Sequence, residues 1–215
     1  MLGSNRKRSK YKIMSRNLAV KESLMTEAEY LIFEEKSKIK HEFMDGEVFA
    51  MAGGKRYHSL TISNIARHLG NQLEGNLCEV HTSDLRVRIK PTHYVYPDVV
   101  IACNLKLVPG IFDTLENPQI IFEVLSKSTA YRDRIEKRMD YFDLESLTDY
   151  VIVHQTEMLI EHYERVSQKE WTLRIYDQTS QSVNLNSIQC RLLLDQIYQN
   201  IEFPVNLKLV KSKKK

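Results

Sequence analysis

The sequence contains no apolar run near the roughly 20 residues that a membrane-spanning helix requires. Its N-terminus, Met1 to Tyr11, is polar and basic and has no apolar core of the kind a secretion signal carries. Both absences predict a cytoplasmic protein. Cysteine is scarce: Cys78, Cys103 and Cys190 are odd in number, widely spaced and free of any C-x-x-C pattern. That argues against a disulfide framework and a zinc site, and predicts three reduced thiols. No internal repeat is present.

Acidic residues are missing from both ends. Arg6, Lys7, Arg8, Lys10 and Lys12 at one terminus and Lys208, Lys211, Lys213, Lys214 and Lys215 at the other have no acidic neighbours. The overall charge is +3, but taking those ten from the 31 basic residues leaves 21 against 28 acidic ones, a body charge of −7. A basic nucleic-acid-binding domain does not have this balance, so phosphate neutralisation falls to the tails or to local patches. Such tails also serve simply to keep a chain in solution. A chain of 215 residues sits at the upper end of a single domain. The expected organisation is a flexible basic tail over 1–23, one folded domain over 24–205 and a Lys-rich tail over 206–215.

The elements follow from patterning. Thr26 can cap a helix, with Glu29 closing a capping box and Met25 stapled onto Tyr30. Lys40 to Met51 reads as two short strands about the Asp45-Gly46 turn. From Ser59, Leu60, Ile62, Ile65, Leu69 and Leu73 fall at helical spacing, and Gly70 and Gly75 bracket the helix end. Three strand-like runs follow, Cys78 to Ile89, Tyr96 to Ala102 and Gln119 to Leu125. Val99-Val100-Ile101 and Ile120-Ile121-Phe122 are continuously apolar, as central strands buried on both faces are. Ser128 or Thr129 can cap a second helix reaching Asp143. Tyr150 to Val153 is a further strand, Met158 to Arg165 with Trp171 to Tyr176 a hairpin, and Leu192 to Asn200 a terminal helix. The predicted fold is α/β, an α+β mixed sheet flanked by helices, with an additional N-terminal helix and hairpin.

Two acids stand out in this frame. Tyr96-Pro97-Asp98 puts a carboxylate at the entry of a buried strand, where Pro97 costs no ladder hydrogen bond. Glu123 follows three apolar residues at the end of the next strand. If the two strands run antiparallel, the start of one lies beside the end of the other and the carboxylates converge. Converging carboxylates repel unless a hard cation separates them, and oxygen donors suit Mg²⁺ or Mn²⁺. A cation held so can activate water against a phosphodiester. Solvated acids at strand ends are common, but a strand buried on both faces rarely carries an acid without a role.

Tyr96-Pro97-Asp98-Val99-Val100, then Phe122-Glu123-Val124-Leu125-Ser126 with Ser128-Thr129, then Asp133, Lys137 and Tyr141 together resemble the Uma-two family of the PD-(D/E)XK nuclease superfamily. The likeness extends upstream through Glu42, Gly46-Glu47, His58 and Ser83-Asp84-Leu85-Arg86-Val87-Arg88, so it covers roughly Thr26 to Glu202. It implies a restriction-endonuclease-like core and a Mg²⁺- or Mn²⁺-dependent endonuclease acting on DNA, as a homodimer. Asp98 and Glu123 become the metal ligands. The superfamily lysine two residues after the glutamate is replaced here by Leu125, and the resemblance supplies it from the following helix as Lys137, which positions water and stabilises the transition state. Read from spacing alone, Lys137 is an ordinary i, i+4 partner of Asp133 on a solvated helix face, and Lys127 is a nearby competitor at a position the family gives to proline.

The resemblance further implies that Glu42 or Glu47 approaches the metal as a third carboxylate, while alternation with apolar residues in the hairpin equally describes surface strand positions. His58 can shuttle a proton, contact phosphate or make a helix-entry hydrogen bond. Asp84, Arg86 and Arg88 share one strand face by period two, and the arginines either touch DNA or pair across the sheet. Tyr141, one turn beyond Lys137, packs so as to fix the lysine. A catalytically inactive nuclease fold that binds nucleic acid or a partner protein is the competing reading, and an accessory factor that cuts only with a partner chain is a third.

Overall fold

The structure, a computed structural model, describes residues 24–51, 53–125 and 137–203. Both tails and the predicted helix cap at Ser128 or Thr129, together with Lys127 and Asp133, lie outside the described residues. Those that are described form two compact units, divided at Gly53/Gly54, Val87/Arg88 and Val95/Tyr96.

The first unit starts with helix α1 (Glu27–Lys36). Its N-terminus carries the expected reciprocal cap: Thr26 Oγ1 accepts from Glu29 N at 3.3 Å and Glu29 Oε2 accepts from Thr26 N at 2.9 Å. Strands β1 (His41–Met44) and β2 (Glu47–Ala50) pair antiparallel about Asp45 and Gly46, whose φ values of 45° and 89° are those of a tight hairpin turn. Strand β5 (His93–Val95) flanks β1 on its other side. Met25, Tyr30, Phe43 and Tyr94 make this unit's buried apolar cluster, with the Tyr30 and Phe43 rings stacked at 4.7 Å.

The second unit is built on six strands: β3 (Cys78–Thr82), β6 (Val99–Cys103), β8 (Ile120–Leu125), β9 (Asp149–His154), β10 (Leu159–Ser167) and β11 (Glu170–Asp177), in the spatial order β11-β10-β9-β8-β6-β3. All neighbours are antiparallel except β8 and β9, which run parallel, so the sheet is mixed. Every residue of β8 and of β9 is buried, which is why Ile120–Phe122 and Tyr150–Val153 read as continuous apolar runs. Helix α2 (Arg56–Gln72) covers one face, packing Ile65 and Leu69 against Val99, Ile101, Phe122 and Val124. The hairpin of β12 (Ser182–Leu185) and β13 (Cys190–Leu193) and the short helix α4 (Leu194–Ile197) join the same core. On the opposite face lies α3 (Lys137–Phe142), whose Tyr141 ring sits 5.1 Å from Tyr150. This is the mixed sheet flanked by helices that the patterning predicts.

Three expectations need correction. The run Cys78–Ile89 is not one strand: it breaks at Ser83, whose φ is 27°, and resumes as β4 (Arg86–Lys90), which leaves Asp84 exposed in the turn rather than on a strand face with Arg86. The terminal helix over Leu192–Asn200 is replaced by β13 and the four-residue α4, since Cys190 and Leu192 alternate inward to finish a hairpin. Finally, the cysteines are not all reduced: Cys78 and Cys103 lie directly opposite across β3 and β6 and form a disulfide, while Cys190 is free and buried. A sequence separation of 25 conceals that adjacency, which only the strand register creates. No described helix is long and apolar enough to cross a membrane.

Candidate active site

The register Val99↔Phe122 brings Asp98, just ahead of β6, level with Glu123 inside β8. Side chains alternate along a strand, so the apolar set of Val99, Phe122 and Val124 goes to the α2 face and Glu123 to the α3 face. Asp98 is held in place by the neighbouring strand: Oδ2 accepts from the backbone N of Val124 at 2.7 Å. The backbone of Asp98 is tied as well, its carbonyl accepting from Ser83 N at 3.2 Å across the turn that breaks the long strand.

Glu123 is buried, and two side chains one helical turn apart on α3 meet the same oxygen. Lys137 Nζ donates to Oε1 at 3.1 Å and the Tyr141 hydroxyl donates to it at 2.8 Å. Lys137 and Tyr141 are themselves buried, so the ion pair works at low dielectric, where each bond is stronger than in water. The lysine assigned by resemblance thus contacts the predicted glutamate, and the Tyr141 hydroxyl bonds the same oxygen.

His58, in the first turn of α2, presents Nε2 at 3.2 Å from Asp98 Oδ2. Gly54 makes room for that ring: a Cβ at position 54 would lie 2.5 Å from His58 Nδ1. Asp98, Glu123, Lys137, Tyr141 and His58 all belong to the second unit.

The donor set is compatible with a hard divalent cation. Asp98 makes its described bonds through Oδ2, and Oδ1 takes none among the described residues. The Asp98 and Glu123 carboxylates, at opposed positions of neighbouring segments, offer oxygen ligands, and Mg²⁺ commonly binds through one or two carboxylates, completing its shell with water and substrate phosphate. Among the described residues no three His, Cys, Asp or Glu side chains are arranged as a closed metal cage.

The remaining predicted residues fall in both units. Glu42, buried on β1, and Glu47, exposed at the start of β2, belong to the first unit. Arg86 is buried and bonded to the two-residue strand β7 (Thr114–Leu115), which pairs with β4, and to the segment before it, donating from Nε to Thr114 Oγ1 at 2.9 Å and from Nη2 to the Phe112 carbonyl at 3.0 Å. Arg88 is half-buried on the part of β4 that belongs to the first unit. Sequence reasoning missed a second buried polar group on the α3 face, Glu161 with His154. A signal existed, since Glu161 interrupts the apolar start of β10 as Glu123 interrupts β8.

Comparison with known proteins gives this geometry a family. The Uma2 family model, described as "Putative restriction endonuclease", matches residues 27–195. Uncharacterized protein slr1290 of Synechocystis sp. is 34% identical over 176 residues, covering 81% of this chain and 92% of that protein. Uncharacterized protein sll1609 of the same organism is 35% identical over 152 residues, covering 70% and 86%. A crystal structure titled as that of "a putative nuclease belonging to DUF820" from Anabaena variabilis superposes with a TM-score of 0.66 at 14% identity, covering 81% of this chain and 97% of the other. At that identity the superposition establishes a shared fold. The family match spans most of the length and includes the strands of Asp98 and Glu123 and the helix of Lys137, so the chain belongs to the Uma2 family of restriction-endonuclease-like proteins.

Proposed function

We propose that this protein is a divalent-metal-dependent endonuclease that hydrolyses DNA phosphodiester bonds. The observation that carries the reading is the convergence of Lys137 Nζ on Glu123 Oε1, next to Asp98 on the adjoining antiparallel strand. Bound between Asp98 and Glu123, Mg²⁺ or Mn²⁺ would supply an acidified water and neutralise charge on the phosphate. Asp98 and Glu123 would hold the ion. Lys137 would orient the attacking water and stabilise the charge that builds on the phosphoryl oxygens. Tyr141 fixes the Glu123 carboxylate, and His58, in contact with Asp98, can hold or pass a proton at Nε2. Cutting both strands requires two such sites, so the proposal includes a homodimer, and the acidic body assigns part of the DNA contact to the basic tails.

The test is nicking of supercoiled plasmid in Mg²⁺ or Mn²⁺ against a chelated control. Asp98→Ala is expected to abolish cleavage while circular dichroism and thermal melting show an intact fold. If the wild-type protein cuts no form of DNA or RNA with either metal, the enzymatic reading is lost.

One observation favours a second reading, a nuclease fold that binds nucleic acid or a partner protein without cutting. Glu123 is already engaged by Lys137 and Tyr141, and Asp98 by His58 and Val124 N. Calorimetry with Mn²⁺ separates the two, because only the first requires a cation site that Asp98→Ala removes.

A further inference from the structure

Helix α3 is described over Lys137–Phe142, and its contacts with the neighbouring strands fix where Lys137 sits. Its C-terminal end is gripped by β10, where Arg165 Nη2 donates to the carbonyls of Phe142 at 3.0 Å and Leu144 at 2.7 Å. Around the helix axis a different contact acts. Arg138, adjacent to Lys137, donates from Nη1 to the Tyr163 hydroxyl at 2.9 Å and sits 5.3 Å from the ring centre. The Tyr163 hydroxyl donates to Glu161 Oε2 at 3.3 Å. Glu161 Oε1 in turn lies 3.0 Å from His154 Nε2, and His154 Nδ1 lies 3.4 Å from Glu157 Oε1.

This chain runs along the sheet face that carries the candidate active site. The register Glu123↔Ile152↔Glu161 puts Glu161 on the same face as Glu123, two strands away, or about 10 Å. Glu161 and His154 are both buried. Packed apolar residues would commonly be as stable as such a group or more so, which means that its contribution lies in geometry. Lys137 and Arg138 are successive residues, about 100° apart around a helix. One is held by β8 and the other by β10, so satisfying both leaves the helix a single rotation.

We propose that Arg138, Tyr163, Glu161 and His154 form a positioning chain that sets the rotation of α3 and thereby delivers Lys137 Nζ to Glu123 Oε1. The proposal rests on the nuclease reading insofar as Lys137 and Glu123 are taken as the reacting apparatus. The four are positioning residues and need not touch substrate.

The test uses the full chain and two conservative variants. Tyr163→Phe keeps the ring beneath Arg138 and removes only the hydroxyl, and Glu161→Gln keeps the shape of the side chain. The first readout is acylation of Lys137 by an amine-reactive acetylating reagent, followed by peptide mass spectrometry with exposed Lys106 as the internal reference. In the wild-type protein Lys137 is expected to react slowly. In both variants, well below their melting temperatures, its rate should rise about tenfold while that of Lys106 is unchanged. The second readout is single-turnover cleavage in Mg²⁺, where the rate should fall about 10- to 100-fold with the half-saturating DNA concentration unchanged. Lys137 reactivity that stays at the wild-type level in both variants, or that rises only together with general lysine reactivity and lost thermal stability, overturns the proposal. If wild-type protein does not cut at all, the nuclease reading fails while the acylation rates still decide the chain.

Discussion

At the scale of single residues, Glu123 and Lys137 depend on each other. Removing the cation strands a buried carboxylate, so Lys137→Ala is expected to cost about 3–5 kcal/mol, whereas Tyr141→Phe, which leaves the ion pair, should cost about 1 kcal/mol. Urea midpoints at constant m-value measure both, and equal losses would contradict the pairing. Tyr94 gives a pH-dependent counterpart in the first unit. Burial, and then its hydrogen bond to Glu27 at 2.5 Å, push its hydroxyl up from 10.0 to about 12. The folded state therefore keeps a proton that the unfolded chain releases, and the stability this provides is complete below pH 10 and lost as pH rises to about 12. Tyr94→Phe should flatten urea midpoints across that window; an unchanged slope would assign the alkaline loss elsewhere. Asp98 and Glu123 were legible in the sequence because unbroken apolar strands make an acid conspicuous. Lys137 was not, since its distance from Glu123 is created by tertiary packing and only family resemblance pointed to it.

At the scale of elements, patterning located α1, α2 and the central strands well, and the turns and the last elements of the fold poorly. The capping box of α1 and the Asp45-Gly46 hairpin are local, so the residues that cause them are adjacent and readable. The break at Ser83 is a positive-φ turn without glycine, and β12–β13 pairs residues whose inward alternation resembles a helical stripe over so short a length. The disulfide was hidden for the same reason, its two halves being neighbours only in the sheet. It joins edge strand β3 to β6, and it predicts a thiol count: denatured, unreduced protein should titrate one thiol, from Cys190, and three after reduction. Reduction should lower stability by roughly 3 kcal/mol through release of the unfolded-state constraint. Burial also pushes the Cys190 thiol up, so the native protein should react slowly with thiol reagents.

Across the whole molecule, charge is distributed unevenly enough to test on the proposed DNA reading. A body of −7 repels phosphate, and ten cations near the termini oppose it. Removing residues 1–23 and 206–215 is expected to weaken DNA binding and make the fall of log K with log salt shallower, as fewer counterions are released. An unchanged slope would move the phosphate contacts onto the folded units. The parallel step from β8 to β9 has a consequence of another kind. Antiparallel neighbours can be joined by a tight turn, but parallel ones oblige the chain to leave the sheet, travel back along it and re-enter from the same end. That return path is the stretch between Leu125 and Asp149, and it contains Lys137 and Tyr141. The lysine is therefore carried by a connection that the topology cannot omit. Adding or removing residues in the return path is expected to alter the distance from Lys137 to Glu123.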